Sequence, residues 1–188
     1  CRFLHTVELP YGLKEIAEST FEGCEALKSI EIPSSVVKIG NSAFFFCTDV
    51  EEIIFHEGLK TIGDNAFGAC RSVSSLTFPE SLKSIGAGAF SYCTWLEEVT
   101  DFGGVTSIGD AAFSSCQFLK SARGLEGVKS IGARAFERCT LLKDVSLPEG
   151  LRTIGDHAFS SCASLKTITL PSSVNTISSS AFKGCFSL

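Results

Sequence analysis

Residues 43–63 read AFFFCTDVEEIIFHEGLKTIG, and residues 158–178 read AFSSCASLKTITLPSSVNTIS. The two share one skeleton: Ala-Phe, two variable residues, Cys, spaced apolar residues, then a second apolar group closing on Ile. The cysteines give the period. They stand at 1, 24, 47, 70, 93, 116, 139, 162 and 185, always 23 apart. A disulfide framework needs pairs and usually shows uneven gaps, while metal sites need short gaps of the CxxC kind. An unbroken period of this length marks a repeat array.

The other positions keep the same phase. Phenylalanine stands three residues before each cysteine from the second onward: Phe21, Phe44, Phe67, Phe90, Phe113, Phe136, Phe159 and Phe182. Isoleucine recurs at 16, 39, 62, 85, 108, 131, 154 and 177, and six of the eight are followed by glycine, which reads as a turn residue. The stretch Leu27-Lys28-Ser29-Ile30-Glu31-Ile32-Pro33 alternates at its end as a half-buried strand does, and Pro33, lacking an amide hydrogen, ends it. Val36–Ile39 reads as a second short extended segment. The AF-x-x-C segment reads as one helical or 3₁₀ turn, which would put Ala43, Phe44 and Cys47 on one face. No single unit this thin buries its apolar side alone, so the expectation is a β-rich repeat solenoid of about eight rungs. At ~4.8 Å per rung it is roughly 38 Å long, with a stacked aromatic spine and a column of small apolar thiols inside.

Composition agrees with one domain and excludes several classes. With 44% hydrophobic and 20% charged residues the chain is ordinary for a globular protein. A net charge of −5 argues against nucleic acid or an anionic membrane as the main partner. No apolar run reaches the roughly 18 residues of a membrane span, so no membrane insertion is expected of these residues. Methionine is absent and both ends fall inside a repeat, from which we expect residues 1–188 to be a single-solenoid fragment.

Units such as those quoted above resemble the BspA-like subfamily of leucine-rich repeats, and the resemblance runs the length of the chain. It implies a right-handed leucine-rich-repeat solenoid of the β-rich α/β kind with a parallel sheet on its concave side. It also implies protein-binding roles, often at the surface of bacteria or protists. The capping segments of a complete array are not seen here.

No catalytic constellation is legible. His5, His56 and His157 do not share a repeat position, and a nucleophile–base pair or metal site would need them beside partners. Nine cysteines at one apolar position read as core. Adjacent thiols would come near enough for a disulfide, but parallel side-chain directions disfavour it. No phosphate-binding loop or glycosylation sequon occurs. The expectation is a binding module with no enzyme activity, no cofactor and no metal.

Two surfaces are candidates for a protein partner. The fifth and seventh residues after each cysteine should line the concave strand face, a polar and mildly acidic surface. Glu52 and Glu98 belong to it, with Ile54 and Arg123 as outliers and Glu51, Glu57, Glu97 and Asp101 alongside. A basic partner would be favoured there, unless the face is simply solvated sheet. Two residues after the cysteine most rungs carry small or polar residues, but three successive rungs carry Trp95, Phe118 and Leu141, with Tyr92 nearby. Stacking turns these into an apolar patch, either an interface or local core under a neighbouring segment. A third column, Lys14, Lys60, Lys83, Lys129 and Arg152, reads mainly as a solubilising edge. The rungs of the apolar patch are also irregular: VTDFGGV (99–105) and ARGLEGV (122–128) shift the next apolar residue by one, to Phe102 and Leu125. Either a bend or a shaped site would account for them. The open functional classes are a surface recognition or adhesion module, an intracellular scaffold, and an accessory repeat of an enzyme.

Overall fold

The computed structural model describes residues 1–188 as one stack of short strands and turns with no helix. The strands, in chain order, are β1 (Glu15–Ile16), β2 (Ser29–Ile32), β3 (Lys38–Ile39), β4 (Glu52–Phe55), β5 (Thr61–Ile62), β6 (Ser75–Thr77) and β7 (Ser84–Ile85). They continue as β8 (Glu98–Asp101), β9 (Ser107–Ile108), β10 (Ser121–Ala122), β11 (Ser130–Ile131), β12 (Asp144–Val145), β13 (Thr153–Ile154) and β14 (Thr176–Ile177). All pairing is parallel, and each pair in the longest sheet is offset by one repeat, as with Ile62 opposite Ile85. The result is a parallel β-solenoid.

The longest sheet is not the expected one. The two-residue segments ending in the invariant isoleucine form an unbroken eight-stranded sheet, whereas the strands after the cysteine split into a four-stranded and a two-stranded sheet. The split falls between β4 and β6. At the neighbouring boundaries the amides of Glu51 and Glu97 donate to Lys28 and Ser74 carbonyls at 2.9 and 2.8 Å, but no such bond joins Ser74 to Glu51. Where other rungs place Ile32 or Leu147 at the strand's end, β4 and the rung of β6 place Phe55 and Phe78, with rings 5.5 Å apart. The two rings meet at the boundary where the ladder is interrupted. At the next boundary Phe102 is accommodated differently. The register slips at Leu76/Thr77, so that Thr77 faces Asp101 and Phe102 is fully buried. The irregular VTDFGGV stretch is therefore a β-bulge that returns an aromatic ring to the core.

The core is a set of vertical columns. Rings of Phe44, Phe67, Phe90, Phe113, Phe136 and Phe159 are fully buried and stack nearly parallel, with interplanar angles of 5–8° within the column. Equivalent atoms of stacked rungs are separated by the local rung spacing. Here it is 5.1 Å between Phe21 and Phe44 and 5.6 Å between Phe159 and Phe182, against ~4.8 Å for hydrogen-bonded strands. The rungs thus fan open towards the phenylalanine corner.

The AF-x-x-C segment is a run of turns, not the helical or 3₁₀ turn expected, so the α/β description is corrected to all-β. The reason lies in where the amides go. Those of Ala66, Gly68 and Cys70 donate within their own rung to Gly63, Asn65 and Phe67 (3.0–3.3 Å). The alternate amides of Asn65, Phe67 and Ala69 donate instead to the next rung, at Ala87, Ala89 and Ser91 (2.7–2.8 Å). A helix needs successive amides to bond within one segment; every second one here is diverted along the stack. The diversion requires left-handed residues at two places per rung, such as Asn65 (φ 53) and Ala69 (φ 59).

The glycines after isoleucine also serve a different purpose from the one expected. None of Gly40, Gly63, Gly86, Gly109, Gly132 and Gly155 has positive φ. Each instead presses on the preceding rung: a Cβ on Gly109 would sit 2.6 Å from the Gly86 carbonyl carbon. They are conditions of close approach, not of turning. Beside them, carboxylates and Asn41 link rungs, since Asp64 Oδ1 and Asp110 Oδ1 accept the Ala87 and Ala133 amides at 2.7 and 2.8 Å.

Candidate functional site

The two residues after each cysteine run along a turn whose main chain is tied to the rung before. The amides of Trp95, Phe118 and Leu141 donate to the carbonyls of Arg71, Thr94 and Gln117 at 3.1, 3.3 and 3.3 Å. This aligns the three side chains in one column, and the Trp95 and Phe118 rings stack at 4.8 Å and 14°. No neighbouring segment covers the column. Trp95 is 55% exposed and Tyr92 56%, while Phe118 and Leu141 are half-buried. Tyr92 precedes Cys93 in a left-handed conformation (φ 58), its amide held by the Ser114 carbonyl at 2.8 Å. The result is an apolar ledge of aromatic and leucine side chains fixed by backbone bonds.

Sequence reasoning missed the ledge's charged rim. Arg71 and Arg138 are exposed, and the seven ion pairs of the chain include neither. The Arg71 guanidinium lies 5.4 Å from the centre of the Phe46 ring, itself partly exposed. The residue one rung below Trp95 in its own column is Ser72, and Arg71 stands beside that column, so its position could be read from the period whereas its lack of an ion partner could not.

The four strand-face residues fall in two depressions of the strand face. Glu52 and Ile54 line a cleft of about 640 Å³ at the opening between β4 and β6, with Glu51, Glu57, Glu80 and Asp101 around it. Ile54 is 38% exposed there. Part of the acidity is already committed: the Glu57 carboxylate accepts the Glu80 and Ser81 amides at 2.9 and 3.0 Å, and Asp101 Oδ1 accepts the Gly103 amide at 2.8 Å. Glu98 and Arg123 lie in a separate depression of about 300 Å³ with Lys120, Lys143 and Asp144. Lys120 pairs with Glu97 at 2.6 Å, so this half of the face is of mixed charge.

The cysteine column is built to stay protonated. Each Sγ from Cys47 to Cys185 donates to the carbonyl of the phenylalanine 26 residues earlier, such as Cys93 to Phe67 at 3.3 Å and Cys116 to Phe90 at 3.2 Å. Burial pushes the Cys47 thiol up to about 12 and holds those of Cys70, Cys93, Cys116 and Cys139 well above the usual thiol range. All nine cysteines are free. A reactive thiolate needs a lowered pKa and access, and the buried column offers neither. His56 Nε2 contacts Glu31 Oε1 at 2.9 Å, and no three His, Cys, Asp or Glu side chains converge as metal ligands would. No helix is long and apolar enough to cross a membrane.

Comparison with known proteins agrees with this architecture. The chain is similar to a leucine-rich repeat protein of T. pallidum at 36% identity, over 81% of this chain and 72% of that one, with a TM-score of 0.75. A leucine-rich repeat protein from Eubacterium ventriosum gives 29% identity and a TM-score of 0.79, over 85% of this chain and 44% of that one. One from Bacteroides ovatus gives 31% identity and a TM-score of 0.65, over 92% of this chain and 51% of that one. No match is found among curated proteins. The family model described as "BspA type Leucine rich repeat region" matches residues 1–120 and 60–188, and the chain therefore belongs to the BspA-type leucine-rich repeat family.

Proposed function

We propose that the chain is a non-catalytic repeat module that binds another protein through the Trp95–Phe118–Leu141 ledge and Tyr92. One observation carries the reading: two large aromatic side chains are more than half exposed on a turn whose backbone is hydrogen-bonded rung to rung. Binding energy at interfaces concentrates in Trp, Tyr and Arg, and a preorganised platform loses little freedom on binding. Display at a cell surface, as recognition or adhesion, is the role we favour from family membership. The test is affinity capture with the wild-type chain, Trp95→Ala and Ile54→Ser in parallel. Trp95 is exposed and is not a member of the buried core, so its variant should melt normally and lose the captured protein. Capture that survives Trp95→Ala but fails with Ile54→Ser would move the site to the strand face.

That second reading has its own support in the cleft at the β4–β6 opening. Its exposed Ile54 is ringed by Glu51, Glu52 and Glu80, which favours a basic partner and predicts binding that weakens with salt.

A further inference from the structure

Resting on the ledge as the contact surface, we infer that its partner presents acidic residues on either side of a short apolar stretch in an extended segment. The chain as a whole is acidic, at −5, yet both ends of the ledge carry an arginine. Arg71 lies in the rung before Trp95, and its carbonyl accepts the Trp95 amide at 3.1 Å. Arg138 lies in the rung of Leu141, three residues before it and just ahead of Cys139. Both are exposed and neither is in an ion pair. The only carboxylate in the adjoining turn, Glu137, is turned to Arg134 at 3.8 Å. An apolar centre between unpaired guanidiniums is complementary to an apolar centre between carboxylates, which Arg binds in a bidentate fork.

The stacking also sets a length. Trp95 and Phe118, one rung apart, have ring centres 4.8 Å apart, so the three rungs from Arg71 to Arg138 span roughly 14 Å, or about four residues of extended chain at ~3.3 Å each. The segment is thus two carboxylates bracketing two or three aromatic or aliphatic residues. An anionic membrane would match the arginines as well, but the net charge of −5 and the carboxylates around the β4–β6 cleft oppose such a surface.

The experiment pans a library of displayed random peptides on the whole chain and on Trp95→Ser. Synthetic copies of enriched sequences are then titrated while Trp95 emission is followed, because it is the one tryptophan in the chain. The expected result is enrichment of acid-bracketed apolar peptides that depends on Trp95, shifts the emission and weakens with salt. Reversing the rim with Arg71→Glu and Arg138→Glu together should lower that affinity by roughly tenfold or more, and raise the affinity for a copy of the same peptide whose bracketing acids are replaced by lysine. Both positions are exposed; unchanged melting of this variant, and of Arg71→Gln with Arg138→Gln, excludes misfolding as the cause. Trp95-dependent enrichment of neutral or basic peptides would overturn this inference and leave the ledge standing. Enrichment indifferent to Trp95→Ser, or none, would overturn both. Stronger Trp95 shifts with phosphatidylserine vesicles than with any peptide would replace the protein partner with a membrane.

Discussion

The contact between successive glycines offers the sharpest test of how the rungs are stacked. In Gly109→Ala the added Cβ falls 2.6 Å from the carbonyl carbon of Gly86, and 2.7 Å from both its oxygen and the Ala87 nitrogen. Ordinary contact begins at 3.4 Å, so the overlap is 0.7–0.8 Å against three backbone atoms that have no rotamer to change. Relief requires the two rungs to part by about that much. The Gly109 amide, 2.9 Å from the Ile85 carbonyl, would then lie beyond useful hydrogen-bond length, a loss of about 1 kcal/mol. The neighbouring Phe90–Phe113 stack at 5.4 Å would loosen with it, and overpacking of this kind costs about 1–3 kcal/mol. The lower chain entropy of unfolded alanine offsets about 0.5–1 kcal/mol, leaving a net destabilisation of about 1–3.5 kcal/mol. Urea unfolding followed by Trp95 emission reads the change, since Trp95 precedes Gly109 in the same rung. Gly150→Ala is the control. It has nothing within 4 Å but a φ of 107°, so it isolates the dihedral penalty of about 1–2 kcal/mol. A Gly109→Ala midpoint within about 0.5 kcal/mol of wild type would refute close approach as the reason for these glycines.

The remaining columns make their own predictions. Phe90→Ala removes a fully buried ring between two stacked neighbours, and should cost about 3–5 kcal/mol with a broadened melt; an unchanged midpoint would mean the column is not core. Asp110→Ala strips the acceptor from the Ala133 amide and should cost about 1 kcal/mol in the same urea assay, whereas no change would show that water replaces the carboxylate. Burial holds the folded thiols protonated, while unfolded thiols ionise from about pH 8.5. Above that pH the unfolded state binds fewer protons, so stability is intact below it and falls as pH rises, by up to ~1.4 kcal/mol per pH unit for each buried thiol. The melting temperature should therefore be level from about pH 6 to 8 and drop steeply above about pH 9; a level profile to about pH 10.5 would contradict a buried column. In the native state Ellman's reagent should reach exposed Cys1 at once and Cys93 only on unfolding.

What the sequence made legible was periodic, and what it hid was relational. The cysteine and phenylalanine columns, the strand positions and the family all follow from the 23-residue phase. The helical reading of AF-x-x-C failed because the spacing of Ala43, Phe44 and Cys47 fits a helix equally well. What decides against one is that Phe44 donates its amide to Ala66 in the next rung at 2.8 Å. The Ile-Gly pairs misled in the same way, since a glycine needed for closeness and one needed for turning look alike in one dimension. The opening between β4 and β6 falls where Phe55 and Phe78 stand in adjacent rungs, and nothing in the period marks it. The VTDFGGV irregularity was visible, but only the slip at Leu76/Thr77 identifies it as a bulge. Of the site, Trp95, Phe118 and Leu141 could be grouped by column, whereas the cleft that Glu52 and Ile54 line at the β4–β6 opening has no counterpart in the 23-residue phase.

The diverted amides of the phenylalanine corner bear on how such a molecule yields under tension. Because Asn65, Phe67 and Ala69 donate to the rung after them, each turn is latched by its successor. A pull on the two termini loads only the outermost latches, which open a few at a time like a zip. A pull across the stack loads many latches together in shear. The same chain would then uncoil gradually when tugged from its ends and resist abruptly when gripped at its sides.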